Sequence, residues 1–318
     1  MMPKEMTHWL IAEEVGRRVS VGTDNPAMLR VGAIVHDVLY YRSLGASPRC
    51  VAVANFVHGS EGEDTFTMVR NLASDKTFTP NGTDSLRAFL LGAVTHICAD
   101  VIFHPYIYYA SGNPSLPNMH YEVWKNHRAL ESAIDSAFCH DKNIRLDSVS
   151  LYSDITRQRH DIMPILNLLA HEQRKSGWEI QSLDYWRGYT ALARLRPILT
   201  HSFLNTVLDE SELRLGRLMD IIVPPELHSY MGLRYSAQSP WAVADIHTPF
   251  RYQHPVSGEE HSTTLHELFD VAVRESVRVW ELLEKTLLCG APLLEEGKSL
   301  EVGLRGVPAA EMRYFTVL

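Results

Sequence analysis

The chain has 318 residues, 45% of them hydrophobic, and a formal net charge of −8: enough apolar material for one large core, and an acidity that weighs against a broad nucleic-acid footprint. Its four cysteines, Cys50, Cys98, Cys139 and Cys289, lie far apart without a CxxC pair, which excludes a zinc ribbon or a disulfide framework and predicts reduced thiols. No apolar signal core opens the chain and no run of eighteen uninterrupted apolar residues follows, so the expectation is a cytoplasmic protein without a transmembrane segment.

Helical punctuation dominates in chain order. Thr7 to Val19 puts His8, Ala12, Val15 and Val19 on one stripe, an amphipathic helix. Asp24-Asn25-Pro26 supplies a cap followed by proline at the first helical position, and Gly45 a stop, so residues 26–44 are expected to form one helix carrying His36 and Asp37. The apolar run 51–57 is ambiguous by periodicity and is assigned to helix by context; Asp64-Thr65 caps a helix to about Leu72. Leu86 to Phe103 is apolar nearly all round, the mark of a buried helix, which Pro105 is expected to end. A helix around His127 follows. Further helices are expected at 152–175, 183–207 with an interruption at Pro197, 211–222 and 264–289; residues 233–262 read as a surface lid or functional loop. Alternation of Leu300, Val302 and Leu304 suggests one short strand or hairpin in the tail. The expected whole is a single all-α domain, 1–318: a multi-helix bundle with metal-site helices in 4–140, additional helices in 150–290 and an irregular tail in 291–318.

Ligand-type residues fall on those helices at helical spacing. His96, Asp100 and His104 stack on one face of the apolar helix, and His127 and Glu131 share a face of the next. An ionised carboxylate inside an apolar helix is expensive unless it is paired or binds a cation. A buried His–Asp hydrogen bond one turn apart would also account for Asp100. Imidazole with carboxylate suits zinc, iron or manganese. The chain holds sixteen histidines, about double ordinary usage, and seven precede residue 131, which favours a metal site in the first half. His36 and Asp37 point about 100° apart if helical, so only one is expected to face the metal.

In order, Thr7-His8-Trp9, Gly32-Ala33-Ile34-Val35-His36-Asp37, Val57-His58-Gly59, the HxxxDxxxH of His96 to His104 and the HxxxE of His127 to Glu131 resemble the zinc-dependent phospholipase C superfamily, which includes S1/P1 nucleases and the catalytic region of glycosylphosphatidylinositol phospholipase D. The resemblance covers about residues 4–135. It implies an all-α fold in which Asp37, His58, His96 and Asp100 hold one zinc and His104, His127 and Glu131 a second, with His8 and Asp100 reaching toward a third. Secreted members complete that third site with the amino group of an N-terminal tryptophan, whereas Trp9 here is internal; the third ion is left open. The HxxxDxxxH spacing follows the phospholipase D branch, so the P–O bond cleaved is also open.

Two zinc ions would lower the pKa of a bridging water toward 7 and clamp the oxygens of an in-line displacement at phosphorus, with Asp37 as ligand and proton acceptor. The expected function is therefore a phospholipase C-like phosphodiesterase acting on a small phosphoester or a phospholipid headgroup, without nucleic acid as partner. An HD-domain phosphohydrolase, in which His36 and Asp37 both ligate, is one alternative, and a helical binding scaffold with a relic site another.

Overall fold

The computed structural model describes residues 4–22, 24–42, 47–74, 83–114, 120–202, 205–206, 208–209, 231–236, 239–241, 243, 245–289 and 295–316. In chain order the described helices are α1 (Glu5–Val19), α2 (Pro26–Gly32), α3 (Pro48–Val57), α4 (Thr67–Ser74), α5 (Thr83–Ser111), α6 (His120–Asp141), α7 (Leu151–Arg157), α8 (Arg159–Lys175), α9 (Ser182–Leu199) and α10 (Leu265–Cys289). A hairpin, β1 (Phe250–Gln253) with β2 (Glu260–Thr263), pairs antiparallel in the register Phe250↔Thr263. The expected all-α fold holds.

Helix α5 is the axis, with α1, α2, α6 and α10 laid around it. It is long and apolar enough to cross a membrane by length and composition, yet 83% of its most apolar window is buried inside the protein. Helix α2 meets it at glycines on both sides. A Cβ on Gly32 would stand 2.0 Å from the Phe89 carbonyl oxygen, and one on Gly92 would stand 2.2 Å from that of Leu29. Backbone approach this close excludes any side chain at either position.

Several expected elements change shape. The helix foreseen over 26–44 ends at Gly32, and Ala33 to Asp37 wind on through i→i−3 bonds such as Val35 to Gly32 and Asp37 to Ile34 into a 3-10 turn at Val38–Tyr41. That turn is pinned by α9, where a Cβ on Gly188 would lie 2.1 Å from the Val38 oxygen and the Tyr189 hydroxyl donates to the Val31 carbonyl at 2.8 Å. Pro105 does not end α5, which runs on to Ser111 because Ile107 and Tyr108 are buried beyond it. Proline removes the hydrogen bond to the Val101 carbonyl, and Gly303 of the tail rests against that oxygen, where its Cβ would come within 2.7 Å.

The helix foreseen over 152–175 breaks at Gln158 into α7 and α8, and α9 passes through Pro197 to end at Leu199. The segment read as a lid contains the hairpin, whose Phe250 ring lies 4.2 Å from that of Tyr106 on α5. The alternation in the tail is not a strand. Leu300 and Val302 are buried, but the described tail is turns with a 3-10 segment at Ala309–Glu311. The expected helix 211–222 lies outside the described residues. Cys50, Cys98 and Cys139 are free and buried.

Candidate metal centre

All eight predicted ligand residues converge in the interior, in two neighbouring groups. His8 comes from the start of α1, whose N-terminal amides need acceptors. Asp135 of α6 provides them, accepting from Met6 N at 3.0 Å, Thr7 N at 2.8 Å and the Thr7 hydroxyl at 2.6 Å, which fixes the helix one residue before His8. The turn after Gly32 supplies Asp37. His58 closes the C-terminus of α3, α5 presents His96, Asp100 and His104, and α6 presents His127 and Glu131 four residues apart.

Three imidazoles are oriented by backbone carbonyls. His58 Nδ1 donates to Ala54, His96 Nδ1 to Ala33 at 2.7 Å and His104 Nδ1 to Leu300 at 2.7 Å. A carbonyl only accepts, so the proton sits on Nδ1 and the Nε2 lone pair is left for a metal, the usual support of a ligating histidine. The Ala33 carbonyl is available because the chain leaves helical geometry there: Asp37 N, which would bond it in a continuing helix, bonds Ile34 instead.

The inward atoms face carboxylates. His96 Nε2 lies 3.1 Å and His8 Nε2 3.4 Å from the two oxygens of Asp100, and His58 Nε2 lies 3.6 Å from Asp37 Oδ1. In the second group Glu131 Oε1 is 2.9 Å from His127 Nε2 and 4.0 Å from His104 Nε2. Ligand atoms of His8, Asp37 and His96, of His58, His96 and Asp100, and of His104, His127 and Glu131 each lie within 4.8 Å of one another. Ligands at zinc distances in a tetrahedron are roughly 3.3 Å apart, so each set is compact enough to hold an ion. His96 belongs to two of the three sets, which makes the first group one five-residue cluster.

The electrostatics test whether a divalent cation fits. Seven of the eight side chains are fully buried, and Asp37 alone keeps 13% of its side chain exposed. Burial raises the pKa of Asp37 to about 6 against the opposing pull of His96, and raises Asp100 and Glu131 well above the carboxylate range. It drives His58 down to about 3 and lowers His36, His96 and His104. Both oxygens of Asp100 and of Glu131 are buried without a hydrogen-bond partner, and among the described residues neither carboxylate pairs with an arginine. Neutral imidazoles facing uncompensated carboxylates in a dry interior are a donor set that a divalent cation completes.

His36 departs from the sequence reading. In the turn, unlike a helix, adjacent residues both point inward: Asp37 joins the cluster, and the His36 ring stacks on His96 at 4.6 Å and meets His58 edge-on at 6.1 Å. His8 covers the other face of His96 at 4.2 Å, giving a stack of three imidazoles. His36 has no ring nitrogen in any of the three ligand sets, and neither nitrogen has a hydrogen-bond partner. The other residues missed are Asp135 and the carbonyls of Ala33, Ala54 and Leu300, whose roles depend on tertiary contact and leave no spacing to read.

Beside Asp37 a narrow cleft of about 10 Å³, room for about one water, is lined by Lys4, Glu5, Asp37, Tyr41, Glu131, Leu192 and Leu233. It touches both groups. Burial lowers the Lys4 pKa to about 8 against the pull of Glu5 and Asp135.

Compared with known families, residues 7–192 match the family model described as zinc dependent phospholipase C. None of the curated proteins and none of the solved structures matches the chain.

Proposed function

Because the chain belongs to the zinc-dependent phospholipase C family, a membership that supports a zinc phosphoester hydrolase, we propose that it hydrolyses phosphodiesters, with a small phosphoester or a phospholipid headgroup as substrate. The observation that carries this reading is the dry cluster itself: imidazoles locked with Nε2 inward, facing the buried carboxylates of Asp100 and Glu131, which among the described residues form no ion pair with an arginine or lysine. His8, Asp37, His58, His96 and Asp100 would hold zinc in the larger group, and His104, His127 and Glu131 in the smaller. Bound zinc supplies Lewis-acid polarisation of a phosphoryl oxygen and a lowered pKa for water.

The chain's own part is to orient and to move a proton. Asp37 stands on the side where the cluster opens to the cleft, so its carboxylate is the group a reacting water reaches first. Burial holds its pKa up to about 6 in the metal-free protein, and it is the carboxylate placed to accept that proton. The carbonyl contacts of His58, His96 and His104 would keep those rings oriented toward bound zinc, and the buried interior around them excludes bulk water.

Zinc counting in protein purified without chelator, together with turnover of a chromogenic phosphodiester, tests this reading. Two or more zinc equivalents per chain and turnover lost on chelation are expected. Fewer than two equivalents, or turnover indifferent to chelator, would leave a binding scaffold as the better account.

A further inference from the structure

Tyr108 continues the ligand stripe of α5, one turn beyond His104 in the series His96, Asp100, His104. Its ring stands edge-on to both imidazoles of the smaller group, 4.7 Å from that of His127 and 5.5 Å from that of His104, and it packs with Val302 and Met312 of the tail. The residue is 1% exposed, and among the described residues nothing accepts a hydrogen bond from its hydroxyl. Other phenols near the cluster are paired, Tyr40 with Asn55 Oδ1 at 2.8 Å and Tyr41 with Glu5 at 3.4 Å. Burial holds the Tyr108 phenol well above its usual pKa, and Glu301, Tyr40, Glu131 and Asp100 are close enough to push it the same way. Tyr108 is thus a neutral donor within electrostatic reach of the carboxylates of both groups. A buried O–H that meets no acceptor is destabilising, and such a group beside metal-type ligands calls for a partner that comes with the ion.

His104, His127 and Glu131 are three protein ligands, and zinc held by three side chains keeps a fourth position for water. Resting on the zinc reading above, we propose that Tyr108 is a positioning residue of the smaller group, its hydroxyl donating a hydrogen bond to the water that fills this fourth position. A phenol gives one hydrogen bond without adding charge, so it orients the water and leaves the charge balance of the group unaltered. The edge-on contacts with both imidazoles restrict the direction in which it can donate.

Tyr108→Phe in the full chain tests this, because it keeps the ring and removes only the hydroxyl. Chelator competition on the zinc equivalent that His127→Ala removes is expected to show affinity weakened roughly 10- to 100-fold. Melting temperatures should then change in opposite senses. In chelator-treated protein Tyr108→Phe should melt at or above the parent, since an unmatched buried hydroxyl is gone, whereas in zinc-loaded protein it should melt below. Zinc affinity within about twofold of the parent, or a fall in melting temperature that is the same with and without zinc, overturns the assignment and leaves a merely structural tyrosine. The unaltered protein gives a measurement that needs no substitution to fold: its tyrosine absorption should stay in the phenol form as zinc is added. A tyrosinate band appearing with zinc would make the oxygen a direct ligand and also overturns the donor role. If zinc binds and Tyr108→Phe weakens it while no phosphodiester is turned over, the hydrolase reading falls and the hydroxyl contact stands; chelator-sensitive turnover with unchanged zinc affinity in Tyr108→Phe does the reverse.

Discussion

The two candidate metal-binding groups are built differently. The smaller, His104, His127 and Glu131, comes from two helices: Glu131 lies one turn after His127, and α5 and α6 lie side by side. The larger draws His8, Asp37, His58, His96 and Asp100 from α1, a turn, the end of α3 and α5, and includes the only partly exposed member. The closed group rests on local spacing and the open one on tertiary contacts. The group that keeps a partly exposed carboxylate is thus the one held by long-range geometry.

Removing a ligand should separate them most strongly. His96→Ala takes away the imidazole common to two ligand sets, so zinc is lost from the larger group and turnover disappears, whereas His127→Ala costs only the equivalent in the smaller group. Metal content per chain with kcat checks both; equal losses in the two variants would mean the groups are not independent.

Next comes the backbone contact that frees the Ala33 carbonyl. In Gly92→Ala the new methyl would stand 2.2 Å from Leu29 O and 2.5 Å from Ala33 N. Overpacking of this kind costs about 1–3 kcal/mol, and the displacement of α2 should weaken zinc at the larger group while the smaller keeps its ion. Gly303→Ala is the mirror experiment. Its φ of +67° and a Cβ position 2.7 Å from Val101 O push the tail off α5, which should loosen the Leu300 carbonyl from His104 and weaken zinc at the smaller group roughly 10–100-fold. Thermal denaturation with chelator competition at each group reads both, and the comparison breaks if either variant weakens the two groups alike.

The smallest effect is in pH. At the larger group the proton that competes with zinc sits on a carboxylate rather than an imidazole, since Asp37 is pushed up to about 6 and His58 down to about 3. Above about pH 6 the Asp37 proton no longer competes, and the remaining competitor is the proton of Asp100, which burial also holds well above the carboxylate range. Below about pH 6 the Asp37 proton must also leave before zinc binds, and affinity falls about tenfold per unit for each such proton. A chelator competition series from pH 5 to 8 checks this, and Asp37→Asn should flatten the slope near pH 6; a slope there that survives in Asp37→Asn would place the proton on another ligand of the group.

How much of this was readable without coordinates follows the same division. The His96, Asp100, His104 face and the His127, Glu131 pair were visible because helical periodicity is local. The resemblance supplied His8, Asp37 and His58 by order along the chain, but not the reason they meet. Residues 26–44 read as one helix because the signals at Asn25, Pro26 and Gly45 are genuine helix punctuation, whereas the break at Gly32 is imposed by Gly92 across the α2–α5 contact and by α9 behind it. The inward turn of His36 is a consequence of that break. Pro105 misled for a related reason: the missing hydrogen bond was expected to end α5, and a glycine of the tail covers the orphaned carbonyl instead.

The Leu300 carbonyl that fixes His104 lies outside the matched segment 7–192, and this has a temporal consequence. During synthesis Glu131 is made about 170 residues before Leu300, an interval of roughly 10–30 s at 5–20 residues per second. Throughout that time the smaller site exists without the clasp that sets its ring orientation. A nascent chain halted in between would carry His104, His127 and Glu131 without the carbonyl that orients the first of them.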